Sequence, residues 1–104
     1  MLNITDKAEF ENLIKSNDFV VVDFWATWCG PCRMLGSVID EYASVNPDAV
    51  IVKVNVDDAR ELADDYDVQS LPTVAIFKNG LLVSRNTGFM SKSAFSNFVS
   101  SAKE

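Results

Sequence analysis

At 104 residues, 48% of them hydrophobic, the chain has material for one core and no room for a second, so a single domain over residues 1–104 is expected. A formal charge of −6 with no histidine argues against nucleic acid and against an anionic membrane surface as partners. The N-terminal M-L-N-I-T-D-K-A-E-F lacks a basic segment followed by a long apolar one, and no apolar run reaches bilayer length. A cytoplasmic location is the expectation, although a mature form stripped of a leader would read the same way.

In chain order, Leu2 to Thr5 forms a short edge strand. Asp6 and Glu9 then stand at capping-box spacing ahead of Phe10, Leu13 and Ile14, which share one face of a first helix. Asn17 and Asp18 mark a turn. From Phe19 to Ala26, seven residues in eight are apolar with no polar alternation, the pattern of a strand covered on both faces. Asp23 is the exception. A carboxylate in such a strand is costly to desolvate, so unless a cation neutralises it its pKa rises towards neutrality, which makes Asp23 a candidate proton carrier.

Thr27 and Trp28 lead from this strand into Cys29, and Gly30 and Pro31 break the extended pattern before a helix begins at Cys32. Residues i and i+3 of a helical turn stand about 5–6 Å apart at Cβ, close to the roughly 3.5–4.5 Å of a disulfide, so the pair opens and closes with little backbone motion. Cys29 falls at the positive end of the helix dipole, which favours thiolate. Lowering a thiol pKa from about 8.5 by about 1.5 units raises the ionised fraction at pH 7 from about 3% to one half. Cys29 is therefore the candidate nucleophile, and Cys32, inside the first turn and facing the sheet, the shielded resolving thiol.

The second helix keeps its apolar rhythm through Leu35, Val38, Ile39, Tyr42 and Ala43 to about Val45, ending at Asn46 and Pro47. Gly36 inside it costs about 0.5–1 kcal/mol relative to alanine and points to local bending or close packing. Val50, Val52, Val54 and Val56 alternate with Ile51, Lys53 and Asn55 in another strand, with Lys53 and Asn55 on one face. Asp57 and Asp58 give an acidic start to a short third helix carrying Ala59, Leu62, Ala63 and Tyr66. After a loop from Asp67 to Leu71, Thr73–Lys78 and Leu81–Arg85 flank Asn79-Gly80 as antiparallel hairpin strands. Thr87 and Gly88 form a loop, Ser91 caps a last helix, and Phe95, Phe98, Val99 and Ala102 supply its buried face. Strands separated by helices, then a hairpin and a closing helix, predict an α/β fold with a mixed sheet covered on both faces. Sites in such sheets lie beyond the carboxyl ends of parallel strands, and Cys29 follows such an end.

The sequence resembles the thioredoxin family through W-C-G-P-C at 28–32, D-F-W-A at 23–26, L-P-T at 71–73, F-K-N-G at 77–80 and T-G-F at 87–89, in matching order and spacing. The resemblance implies a thioredoxin fold, a central five-stranded mixed sheet with four helices. It also implies a monomer that reduces disulfides in target proteins, holds no bound cofactor beyond a redox-active disulfide, and draws electrons from NADPH through a thioredoxin reductase. By the same resemblance Cys29 attacks, Cys32 resolves, Asp23 and Lys53 form a buried acid–base pair, and Pro72 is cis beside the disulfide. Trp28, Gly30, Pro31, Leu71, Pro72, Gly88 and Phe89 match the family's substrate-facing surface. Two departures stand out: Gly36 where many members carry proline, and Ser70 where glycine is common, the second bearing on loop shape and partner choice.

Blander explanations compete with each feature. Structural zinc needs four ligands, and this chain offers two thiols and no histidine. A static disulfide closing so short a loop adds little entropic stabilisation. Asp23 could be a structural carboxylate satisfied by Lys53 or water, Lys53 a solvated strand residue, and Trp25 and Trp28 core filling. Sequence alone favours a trans bond at Pro72. The alternatives to a reductase are an oxidase or isomerase on the same fold, set apart by reduction potential, and a non-catalytic binding subunit.

Overall fold

The computed structural model describes all 104 residues. In chain order the elements are β1 (Leu2–Asn3), α1 (Lys7–Ser16), β2 (Phe19–Trp25), α2 (Gly30–Val45), β3 (Val50–Asn55), α3 (Arg60–Asp65), β4 (Thr73–Lys78), β5 (Leu81–Thr87) and α4 (Lys92–Lys103). The strands form one sheet in the order β1-β3-β2-β4-β5. β3 runs parallel to β1 and β2, while β4 is antiparallel to β2 and β5. This is the mixed five-stranded sheet with four helices that the resemblance implies.

The uninterrupted apolar run of β2 has its explanation in the two-residue period of a strand. Val20, Val22 and Phe24 face one way, against Phe10 and Ile14 of α1 and Leu62 of α3. Val21 faces the other way, against Leu35 and Ile39 of α2 and Phe95 and Val99 of α4. Full burial of each such Val or Phe is worth about 1.5–3 kcal/mol, so β2 anchors both halves of the core. Parity places Asp23 on the same side as Val21, beneath α2.

The helix starts follow the expected chemistry. The Asp6 carboxylate accepts the Glu9 N–H at 2.9 Å to open α1, and the Ser91 hydroxyl accepts the Ala94 N–H at 3.2 Å to open α4. The hairpin turns through Asn79 (φ 53°) and Gly80 (φ 83°), both in the left-handed region that a two-residue turn of this hand requires. α2 runs unbroken from Gly30 to Val45, and Gly36 within it is buried.

Several boundaries differ from the sequence expectation. α2 begins at Gly30 rather than Cys32, because Cys29 itself is the N-cap and Pro31 fits the first turn, where its missing N–H has no helical partner to lose. β2 stops at Trp25 and β3 at Asn55, one residue short in each case. α3 starts at Arg60 with no side-chain cap, so Asp57 and Asp58 lie in the turn ahead of it, and its end is held instead by Arg85, which donates to the carbonyls of Tyr66 (2.7 Å) and Asp67 (3.2 Å). β5 continues through Thr87, which pairs with Thr73, so the loop begins only at Gly88. No helix is long and apolar enough to cross a membrane.

Candidate functional site

Cys29 and Cys32 are joined by a disulfide, with Cα atoms 5.2 Å apart, at the junction where β2 hands over to α2. Ala26 is fully buried, and its carbonyl accepts the Cys29 N–H at 3.2 Å, so the turn is anchored to the end of the strand. Cys29 has extended backbone (φ −96°, ψ 105°), the usual N-cap conformation, and its Sγ accepts the Cys32 N–H at 3.2 Å. One of the orphan amides at the start of α2 is thus aimed at the Cys29 sulfur, and the helix dipole adds positive potential there. Reduction would leave that amide pointing at a thiolate, which it stabilises over the thiol. Both cysteines are buried, but only Cys29 lines the adjacent groove, of about 510 Å³.

Of the residues matched to the family's substrate-facing surface, the groove brings together Trp28 and Leu71 beside Cys29. Trp28 is 69% exposed and Phe89 45%. Pro31 is exposed, and Gly30 and Gly88 are half-buried. The Leu71–Pro72 bond is cis, as the resemblance implies, while the Pro72 ring is buried and its carbonyl accepts the Gly88 N–H at 2.8 Å. Gly88 (φ 101°) sits in left-handed backbone, where a side chain would be strained. Sequence reasoning missed Asp57, whose carboxylate accepts the Trp28 Nε1–H at 2.8 Å and fixes the indole against the groove. Its signal was available: Asp57 lies just past the carboxyl end of β3, the parallel neighbour of β2, where sites in such sheets gather.

Asp23 lies beneath α2 with its side chain 1% exposed, and neither carboxylate oxygen has a hydrogen-bond partner within the protein. Lys53 is its register neighbour on β3 and brings Nζ to 3.9 Å from Oδ2, too far for a hydrogen bond but close enough for charge to act. Burial pushes the Asp23 carboxyl up to about 6; the Lys53 ammonium draws it back, and the Asp40 carboxylate adds to the rise. The Lys53 ammonium also stands 5.4 Å from the centroid of the Trp25 ring, whose own Nε1 is buried without a partner. The arrangement is a dithiol at a helix tip, with a carboxylate poised to change protonation near neutral pH under the same helix.

Comparison with known proteins points one way. The family model described as Thioredoxin matches residues 1–101. The chain is 45% identical over 92 residues to a thioredoxin of Mycoplasmoides gallisepticum, covering 88% of this chain and 92% of that one. It is 41% identical over 101 residues to a thioredoxin of Haemophilus influenzae, with coverage of 95% and 94%. Among solved structures, a Plasmodium falciparum thioredoxin superposes with a TM-score of 0.90 at 33% identity over 97% of this chain and 98% of that one. The oxidised mitochondrial thioredoxin 3 of Saccharomyces cerevisiae gives 0.89 at 35% identity, over 97% and 94%.

Proposed function

The chain belongs to the thioredoxin family, and on that premise we propose how its residues divide the steps of thiol–disulfide exchange. It is a protein-disulfide oxidoreductase whose redox centre is the Cys29–Cys32 pair. In the forward direction the Cys29 thiolate attacks one sulfur of a target disulfide, forming a mixed disulfide and releasing the other target sulfur as a thiolate, which takes a proton from water. Cys32 then gives its proton to Asp23 and attacks Cys29, which breaks the mixed bond and expels the second target sulfur as a thiolate, which also takes a proton from water. Two electrons have passed to the target, and the pair is left as the disulfide seen in this structure. The second step is intramolecular, so its effective concentration far exceeds that of any outside thiol.

The observation that carries this reading is the Cys29 sulfur held against the Cys32 amide at the tip of α2, beside a groove that Cys32 does not line. A carboxyl at about 6 is about nine-tenths ionised at pH 7, which suits Asp23 to receive a proton, with Lys53 setting how readily it does so. Targets dock on Trp28, Gly30, Pro31, Leu71, Pro72, Gly88 and Phe89, with Trp28 and Phe89 as the apolar anchors and the buried Pro72 shaping the loop from beneath. In this reading one domain, residues 1–104, acts as a monomer in the cytoplasm on disulfide-bonded proteins, and an NADPH-dependent thioredoxin reductase returns it to the dithiol.

Reduction of insulin by dithiothreitol tests the assignment. The protein should accelerate insulin precipitation, Cys29→Ser should abolish the acceleration, and Cys32→Ser should trap mixed disulfides visible on a non-reducing gel. A Cys29→Ser protein as active as the parent would refute the reading.

A further inference from the structure

Gly36 is buried although it has no side chain, and what occupies the space beside it comes from another element. A Cβ placed at this position would have the Lys53 Nζ as its nearest neighbour, at 3.5 Å. That nitrogen is also the one 3.9 Å from Asp23 Oδ2, and the Lys53 side chain is only 21% exposed, so the ammonium is drawn in under α2. Helical periodicity puts Gly36 one turn beyond Cys32, and both belong to the buried face of α2. We propose that Gly36 is a positioning residue for the proton-transfer step: its bare α-carbon is the seat that lets the Lys53 ammonium reach the Asp23 carboxylate. The proposal rests on the role assigned above to Asp23 as acceptor of the Cys32 proton.

The physical case is one of space and charge. A methyl group at position 36 would meet Nζ at an ordinary contact distance, but a branched side chain would compete with it for the same volume. The lysine stem is flexible and leads outward, so the ammonium would withdraw towards water and leave the carboxylate without its nearest positive charge. Few other charges act on Asp23. Asp40 of α2 opposes its ionisation, the Cys32 thiol joins it when the pair is reduced, β4 places apolar Val74 opposite it, and α4 meets this face through Phe95 and Val99. With the ammonium gone, Asp23 would hold its proton to higher pH and accept that of Cys32 less readily.

Carbon-13 NMR titration of the Asp23 carboxyl tests this directly, in the oxidised parent protein, Gly36→Ala, Gly36→Val, Lys53→Met and the Gly36→Val/Lys53→Met double variant. Gly36→Val should move the midpoint up by about one pH unit, the low end of the effect of an opposite charge at this range, and Gly36→Ala, whose methyl fits at ordinary contact, should leave it near the parent's. Lys53→Met should move it by a similar amount, and the double variant no further than either single one. An unchanged midpoint in Gly36→Val, whatever its melting temperature, would overturn the proposal, and so would shifts that add in the double variant. Should the valine variant not fold, Gly36→Ser carries the same comparison with one atom beyond Cβ: an upward shift supports the seat and an unmoved midpoint removes it. The titration reads Asp23 without turnover, so its failure leaves the cysteine assignments standing. Failure of Asp23 as the base would instead appear as unchanged exchange in Asp23→Asn with the titration intact.

Discussion

β2 and β5 are strands of equal length, seven residues each, in opposite surroundings. β2 lies between β3 and β4 with helices packed on both faces, and from Val20 to Phe24 every residue is buried. β5 is the edge of the sheet; none of its residues is buried, and Leu81 stands 70% exposed. Each strand carries a charged residue near its middle or end, and the neighbours decide what that residue does. Arg85 of β5 is exposed and its guanidinium closes the end of α3. Asp23 of β2 has been taken out of water with no hydrogen bond in return, so its protonation becomes a property the fold can use. The chemistry gathers where the chain is most thoroughly covered, on the strand that leads into the dithiol.

The comparison is sharpest in stability. Phe24 is fully buried, and Phe24→Ala should cost about 3–5 kcal/mol through lost transfer energy and the cavity left behind. Against a total of about 5–15 kcal/mol for a small domain, that brings the chain close to unfolding. Urea denaturation at neutral pH reads the loss as a lower midpoint at unchanged slope. A cost below about 1 kcal/mol would mean that β2 is not the strand on which both halves of the core depend.

Asp23→Asn follows in size and turns on pH. In the folded chain the carboxyl sits at about 6, above its ordinary 3.8, so the folded state binds more protons than the unfolded state between those values. Its contribution to stability is therefore fully present at pH below about 4 and falls as pH rises through about 6. Replacing it with the neutral amide should leave stability near pH 4 almost unchanged and raise it at pH 8 by about 3 kcal/mol, the free-energy equivalent of the shift. The same variant should resolve mixed disulfides more slowly, so the gain in stability and the loss in rate would come from one buried charge. Thermal melts at the two pH values, beside stopped-flow exchange rates, check both halves. Equal stabilisation at pH 4 and pH 8 would show that Asp23 is not perturbed as described.

Much of this was legible in the residues. Apolar periodicity marked the helices and the covered strands β2, β3 and β4 because each buries one stripe or both faces, and Asp23 stood out because a charge inside an unbroken apolar run has no local excuse. The C-x-x-C spacing announced a pair that a helical turn can close. What stayed hidden depended on contacts between distant segments. The end of β3 marked Asp57 as lying near a site, but no local pattern names Trp28 as the partner of its carboxylate, and none names the ammonium of Lys53 as the neighbour of Gly36. Leu81, Leu82 and Val83 read as apolar as β2, yet they are exposed, because composition records what a strand could bury and not whether anything lies against it.

One substitution made twice isolates that last point. Val22 and Val83 are the same residue in strands of the same length, fully buried in β2 and 49% exposed in β5, where Val83 falls at the register irregularity opposite Ile76 and Phe77. Threonine preserves shape and β-branching, so strand preference is held nearly constant and only the new hydroxyl differs. In β2 that hydroxyl would be shut among Phe10, Val52 and Phe77 with apolar groups around it, and Val22→Thr should cost about 1–3 kcal/mol. In β5 it would meet water, and Val83→Thr should stay within about 0.5 kcal/mol of the parent with insulin reduction unchanged. Urea midpoints for the two variants measure the difference. Equal costs would mean that the edge strand is covered in solution, and the contrast between the two strands would then belong to the isolated chain alone.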